Sequence, residues 1–264
     1  MNDKYITFPF IKEGKILENA PLAGMTLRSA SSMRFRWNEE NPHRDAFLRT
    51  LTDKTFVPVE LIHSHIVYDI KNASDSKNLQ GDGLITVNKS LVPTVTVADC
   101  MPIFLWEENK GLFGIVHSGW KGTGIAAEAI KLANKNYGTK TEDFCLILGP
   151  HIKDCCYIVN KERADYFAEN FTSECVRPLE EGGSCFCGGR GLPVSWNNGN
   201  GPLYRLSLLK ANLSLLQKAG VKRENINIID ECTCCNEDFG SNRRETAFSG
   251  TANNFTVQAA FINL

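Results

Sequence analysis

Two apolar, β-branched runs in this chain stop at reactive side chains. Val97-Ala98-Asp99-Cys100-Met101-Pro102 presents a thiol, and Val116-His117-Ser118-Gly119-Trp120-Lys121-Gly122 presents an imidazole. Upstream, His63-Ser64-His65 interrupts a third such run, Val57 to Val67. Two histidines and one thiolate form a tetrahedral zinc set whose fourth position stays open for water or substrate. Without metal, Cys100 and His117 form a thiolate–imidazolium pair able to attack a carbonyl. His63 and His65 fall on one face of a strand, so alternation does not choose between them as third ligand. Asp99 neighbours Cys100 and should point to the opposite face. It is therefore expected to brace the backbone or to act behind the ligands rather than bind metal itself.

An anion site is the second chemistry on offer. Ser118 to Gly124 runs into a helix start, where open backbone N–H groups at Gly119, Gly122 and Gly124 flank the cation Lys121. No Gly-Lys-Ser/Thr stands at Walker spacing, so a nucleotide loop of that kind is excluded. Far along the chain, Arg243-Arg244 could join Lys121 in holding phosphate through charge-assisted hydrogen bonds.

The elements that must position these groups alternate without strict βαβ order. Strand-like runs occur at 57–67, 83–88, 91–98, 102–106, 112–117, 144–149, 156–159, 226–230 and 255–262. Helical patterns occur near 43–53, over 125–137, near 161–170 and over 204–219, the last stopped by Gly220. The stretch 181–202 is rich in Gly and Cys and lacks periodicity. This predicts an α/β (α+β) fold with mixed sheets, and the absence of a linker predicts one domain over residues 1–264.

Composition narrows the partners. The 264 residues carry a formal net charge of -1, which argues against general nucleic-acid or anionic-membrane binding. No apolar run approaches the roughly 18–20 residues of a membrane span, and the first residues do not read as a signal peptide. A cytoplasmic protein acting on a small molecule is expected. In that compartment the ten cysteines are expected to be reduced. The Cys185/Cys187 and Cys232/Cys234/Cys235 clusters could hold a second, structural metal, but no histidine lies beside either. Core thiols are their expected fate.

Five motifs in order resemble the laccase-domain family, also described as multicopper polyphenol oxidases, purine nucleoside phosphorylases and peptidoglycan editing factors. They are Asp99-Cys100-Met101-Pro102; His117-Ser118-Gly119-Trp120-Lys121-Gly122; Gly149-Pro150-His151-Ile152 with Cys155-Cys156-Tyr157; Cys232-Thr233-x-Cys235; and Phe239-x-Ser241-x-Arg243-Arg244. The resemblance implies a layered sandwich of mixed sheets flanked by helices. It also implies a zinc ion held by His63, Cys100 and His117, which selects His63 over His65. Arg28, in an arginine-rich N-terminal region, joins the substrate- and phosphate-binding candidates on the same ground. Departures from the family pattern are Leu61 for Gln, Lys121 for Arg and His151 for Cys.

Multicopper oxidation requires many histidines, and this chain has five. Zinc is thus expected before copper, although copper remains a possible occupant. The implied activity is phosphorolysis of adenosine, inosine or methylthioadenosine, with adenosine deamination as a companion, since zinc activation of water suits attack at C6. Three readings compete with it. They are a Cys100–His117 amide hydrolase acting on peptidoglycan precursors, a copper polyphenol oxidase and a non-catalytic zinc protein that binds a partner.

Overall fold

Two seven-residue strands, Met101–Glu107 and Leu112–Ser118, pair antiparallel, with Leu112 opposite Glu107 and Ser118 opposite Met101. Every residue of both strands is buried, as expected where both faces of a sheet are covered. The computed structural model describes residues 4–180, 185–187, 190–192, 201–249 and 255–263. Within it these two strands lie at the centre of a six-stranded mixed sheet. Its order is Ile226–Ile228, Cys145–Leu148, Met101–Glu107, Leu112–Ser118, Gly83–Thr86 and Val67–Asp69.

Strand alternation sends successive side chains into two different cores. Ile103, Leu105 and Val116 pack with Ile130 of the Ile125–Tyr137 helix and Leu216 of the Leu208–Ala219 helix. Phe104, Phe113 and Ile115 face Met25, Val95 and Ala260 of a second sheet. That sheet has five strands in the order Tyr5–Phe8, Leu22–Thr26, Gln258–Asn263, Leu91–Val97 and Thr55–Pro58. The result is a layered sheet–sheet–helix arrangement, the α/β class read from the sequence. Gly138 and Gly220 end the two helices in left-handed conformation, the usual role of glycine after a last helical turn. Among the described residues no helix is long and apolar enough to cross a membrane.

Three sequence expectations need correction. The run 57–67 is not one strand: Thr55–Pro58 belongs to one sheet and Val67–Asp69 to the other, with an irregular loop between them. His63 lies in that loop with φ 59°, so it is not on a strand face. The helix expected over 204–219 begins at Leu208, where the Ser207 side chain accepts the Lys210 N–H as an N-cap. Leu203–Leu206 instead forms the middle strand of a three-stranded sheet with Ile158–Asn160 and Val176–Pro178. Within 181–202, Cys185–Cys187 pairs with Arg190–Leu192 as a two-stranded hairpin. The side chains of Cys185 and Cys187 lie outside the described residues.

Candidate metal centre

His117 and Cys100 meet because of strand register and a crossover. His117 stands opposite Pro102 in the central pair, and Cys100 lies two residues before Pro102. Residues 98–100 form the bend by which the chain leaves the five-stranded sheet at Val97 and enters the six-stranded sheet at Met101. Asp99 takes a left-handed conformation there, with φ 78°. His63 arrives from the irregular loop, and its ring centroid lies 5.0 Å from that of His117 at 82°. The ligand atoms of His63, Cys100 and His117 all fall within 4.8 Å of one another. His117 is buried, Cys100 half-buried and His63 exposed, so the cluster opens on one side. A Cβ on Gly119 would lie 2.7 Å from Cys100 Sγ, which is why only glycine fits beside the thiol.

Asp82, fully buried, organises the histidines. Its carboxylate accepts the His63 N–H at 3.0 Å, the Ser64 N–H at 2.6 Å and the Ser64 hydroxyl at 2.7 Å. It also accepts from His117 Nδ1 at 3.0 Å, which leaves Nε2 of that ring for a ligand. A carboxylate behind a histidine sets the tautomer and the ring plane of a metal ligand. The donor set, one soft thiolate and two imidazoles with an open side, fits zinc. Asp82→Asn should therefore weaken metal binding by about 10–100-fold. Chelator competition measures this, and unchanged affinity would show that Asp82 does not orient His117.

The electrostatics tie Cys100 and His117 into a thiolate–imidazolium pair. Burial raises the Cys100 pKa, but His117 and then His63 outweigh it and bring the thiol down to about 6. Burial likewise lowers that of His117, yet the Cys100 thiolate and Asp82 hold the imidazole up at about 10. Burial, with Cys234 nearby, raises the Asp99 carboxyl to about 6. Asp99 accepts the Arg243 N–H at 2.6 Å and the Thr233 hydroxyl at 2.8 Å. Its side chain is thus committed to the Thr233 hydroxyl and the Arg243 backbone.

The remaining histidines have other partners. His65 Nε2 donates to the Thr123 carbonyl at 2.9 Å, which distinguishes it from His63. His43 and the buried His151 donate to the carbonyls of Ala30 and Gly149.

A cavity of about 470 Å³ adjoins the cluster. Besides His63, Cys100 and His117 it is lined by Arg34, Arg36, Arg163 and Arg243 and by the rings of Phe35, Trp120 and Tyr157. Several anion candidates expected from the sequence are placed elsewhere. Lys121 is exposed, 5.7 Å from the Trp120 ring, and does not line the cavity. The Gly124 N–H donates to Asn212 Oδ1 at 3.2 Å and the Ile125 N–H to the Gly122 carbonyl at 3.1 Å, so the helix start is a packed turn. Arg28 is exposed and donates to the Glu237 carbonyl.

Arg243 reaches the cavity, whereas its neighbour Arg244 is buried. Arg244 donates to the carbonyls of Thr233 at 2.7 Å, Cys234 at 3.0 Å, Asn236 at 3.2 Å and Phe239. Its charge is used to close a loop. Asp82 and Arg163 carried no signal in local pattern; Arg34 and Arg36 belong to the arginine-rich stretch whose role the sequence left open.

The family model "Multi-copper polyphenol oxidoreductase laccase" matches residues 38–258. Among curated relatives, the mouse protein named purine nucleoside phosphorylase LACC1 is 30% identical over 69% of this chain and 38% of its own length. Purine nucleoside phosphorylase YlmD of Geobacillus stearothermophilus is 30% identical over 64% of this chain and 57% of its own length. The chain thus matches roughly two-fifths to three-fifths of these relatives. The crystal structure of a Bacillus licheniformis protein, YfiH, superposes with TM-score 0.75 at 23% identity and covers 92% of each chain. That of Geobacillus stearothermophilus YlmD gives TM-score 0.73 at 23% identity, covering 97% of this chain and 99% of its own. With the family model matching well over half of the chain, and with the fold of these solved structures, the chain belongs to the multi-copper polyphenol oxidoreductase laccase family.

Proposed function

We propose that this protein is a zinc-dependent purine nucleoside phosphorylase acting on adenosine, inosine or methylthioadenosine, with adenosine deamination as a second activity. The observation that carries the reading is a single His63–Cys100–His117 cluster opening on a cavity that holds both arginines and aromatic rings. The printed names of the relatives agree with it. In phosphorolysis a phosphate oxygen bonds to the ribose C1′ while the C1′–N9 bond breaks. The bonding pair leaves with the purine, which takes up a proton. The protein must therefore hold a dianion and a flat base side by side.

Arg163 is the best-placed cation for the dianion. Its guanidinium stacks on Trp120 at 3.7 Å, and its Nε is buried without a hydrogen-bond partner. A buried donor without a protein partner calls for an acceptor. Arg243 spends Nη1 on the carbonyls of Cys156 and Ile158, at 3.2 and 3.3 Å, which fixes its side chain at the cavity wall. The rings of Trp120, Tyr157 and Phe35 provide apolar faces for a purine. Zinc, when bound, supplies Lewis acidity at the open side of its three ligands.

Arg163→Ala should raise the KM for phosphate about 10–100-fold, from the loss of charge-assisted hydrogen bonds worth roughly 1.5–3 kcal/mol. Phosphate-independent deamination should be largely spared. Equal loss of both activities would assign Arg163 to the base or to Trp120 instead.

The function itself is tested by product analysis on adenosine with and without phosphate, using protein of measured metal content. Adenine and ribose 1-phosphate should form only with phosphate, and inosine should form without it. Activity indifferent to phosphate removes phosphorolysis. The contact between Cys100 and His117 favours one alternative, a thiol amide hydrolase, which would survive chelation and be lost on alkylation. A copper oxidase fits less well, because three of the five histidines donate to backbone carbonyls.

A further inference from the structure

Four thiols outside the cavity site converge elsewhere in the fold. Cys155, Cys156, Cys232 and Cys235 bring their Sγ atoms within 4.8 Å of one another. The first two lie on the turn after the Cys145–Leu148 strand, and the others on the turn after Ile226–Ile228. These strands are parallel neighbours, so the turns leave the sheet from the same end. A bridge between His151 and Cys232 continues the pairing, with the Thr233 N–H donating to the His151 carbonyl at 3.1 Å.

We propose that Cys155, Cys156, Cys232 and Cys235 hold a structural zinc ion as a closed tetrathiolate, a second metal site independent of the proposed purine chemistry. Sulfurs bound at about 2.3 Å to a tetrahedral zinc stand roughly 3.8 Å apart. The separations here are 3.7 Å for Cys155–Cys156, 3.6 Å for Cys155–Cys235 and 3.2 Å for Cys156–Cys235. A disulfide would require about 2.05 Å. Cys232 and Cys235 stand at C-x-x-C spacing, a metal-ligand signature. The turn has the matching local shape: the Cys232 carbonyl accepts the Cys235 N–H at 3.1 Å and the Asn236 N–H at 2.9 Å. Cys232 Sγ also accepts the Lys153 N–H at 3.4 Å, a donor that supports a thiolate.

Four sulfurs fill a tetrahedron, so this site leaves no position for substrate, and its role is to fasten two turns together. Those turns support the cavity wall. Thr233 holds Asp99, the Cys156 carbonyl holds Arg243, and the carbonyls of Thr233 and Cys234 hold Arg244.

The test uses the full chain, reconstituted with zinc under reducing conditions and stripped of loosely bound metal. Wild type should carry two zinc equivalents. Cys100→Ala, which touches none of the four thiols, should keep one, and X-ray absorption should show four sulfurs at about 2.3 Å around it. The double variant Cys232→Ser/Cys235→Ser should lose that equivalent and retain one zinc in a mixed nitrogen–sulfur shell. If the double variant does not fold, the Cys100→Ala measurement still decides. Metal-free Cys100→Ala protein, or a disulfide among the four found by mass spectrometry, overturns the proposal. Two equivalents retained in Cys100→Ala would instead count against the His63–Cys100–His117 site.

Discussion

Cys100→Ala protein should contain one zinc equivalent fewer than wild type and lose phosphorolysis by more than about 100-fold. Removing a group behind a metal ligand already costs about 10–100-fold, so removing a ligand should cost more. The substitution takes away the sulfur of the cluster and leaves two imidazoles, one of them exposed. The fold should survive, because Cys100 is half-buried and sits in a bend rather than in either core. Elemental analysis and kcat/KM on adenosine or inosine check the result. Because the thiol is also the nucleophile of the amide-hydrolase alternative, chelation of wild type completes the experiment. Chelation should abolish phosphorolysis and would leave a thiol hydrolase active. A full metal complement in Cys100→Ala would remove Cys100 from the metal site.

Arg244→Ala should cost about 3–5 kcal/mol of stability, the range seen when a buried charged partner is deleted from its network. Its guanidinium serves four backbone carbonyls on the 233–239 loop, and those of the buried residues Thr233, Cys234 and Phe239 would lose this donor away from water. Lysine should not rescue the loss, since three donors on one nitrogen cannot reproduce the planar fork. Arg243→Ala should behave differently, with a kinetic defect in phosphate use and a smaller change in stability. Urea denaturation of the two variants separates these outcomes. Wild-type stability in Arg244→Ala, combined with a raised KM for phosphate, would return Arg244 to the binding site.

The neighbours Arg243 and Arg244 illustrate what local pattern can and cannot carry. A motif identifies both as a unit, but they lie on the Asn242–Ser249 helix, where adjacent side chains diverge by about 100°. One therefore reaches the cavity and the other turns into the loop beneath. The same limit governs the anion site. Glycines at 119, 122 and 124 permit a nest of N–H groups, yet Asn212, from a helix 88 residues later, occupies the Gly124 N–H. Such a partner is set by packing and leaves no mark near the glycines.

Periodicity and helix-capping residues are enough for the fold class, for the Ile125–Tyr137 and Lys161–Asn170 helices, and for the strands that end beside Cys100 and His117. These features depend on burial repeating every two or 3.6 residues and on glycine or asparagine at helix ends, so they are written locally. His63 was reached only through resemblance, because its left-handed backbone belongs to no regular element. Asp82, Arg163 and the four-thiol cluster were decided by the tertiary structure. Asp82 joins residues 18 to 35 positions away, and the Cys155–Cys235 contact spans 80. Hydrogen-bonding and metal-ligating partners are chosen by distance in space, and only the packing of the two sheets against the helices brings those distant residues within a few ångströms.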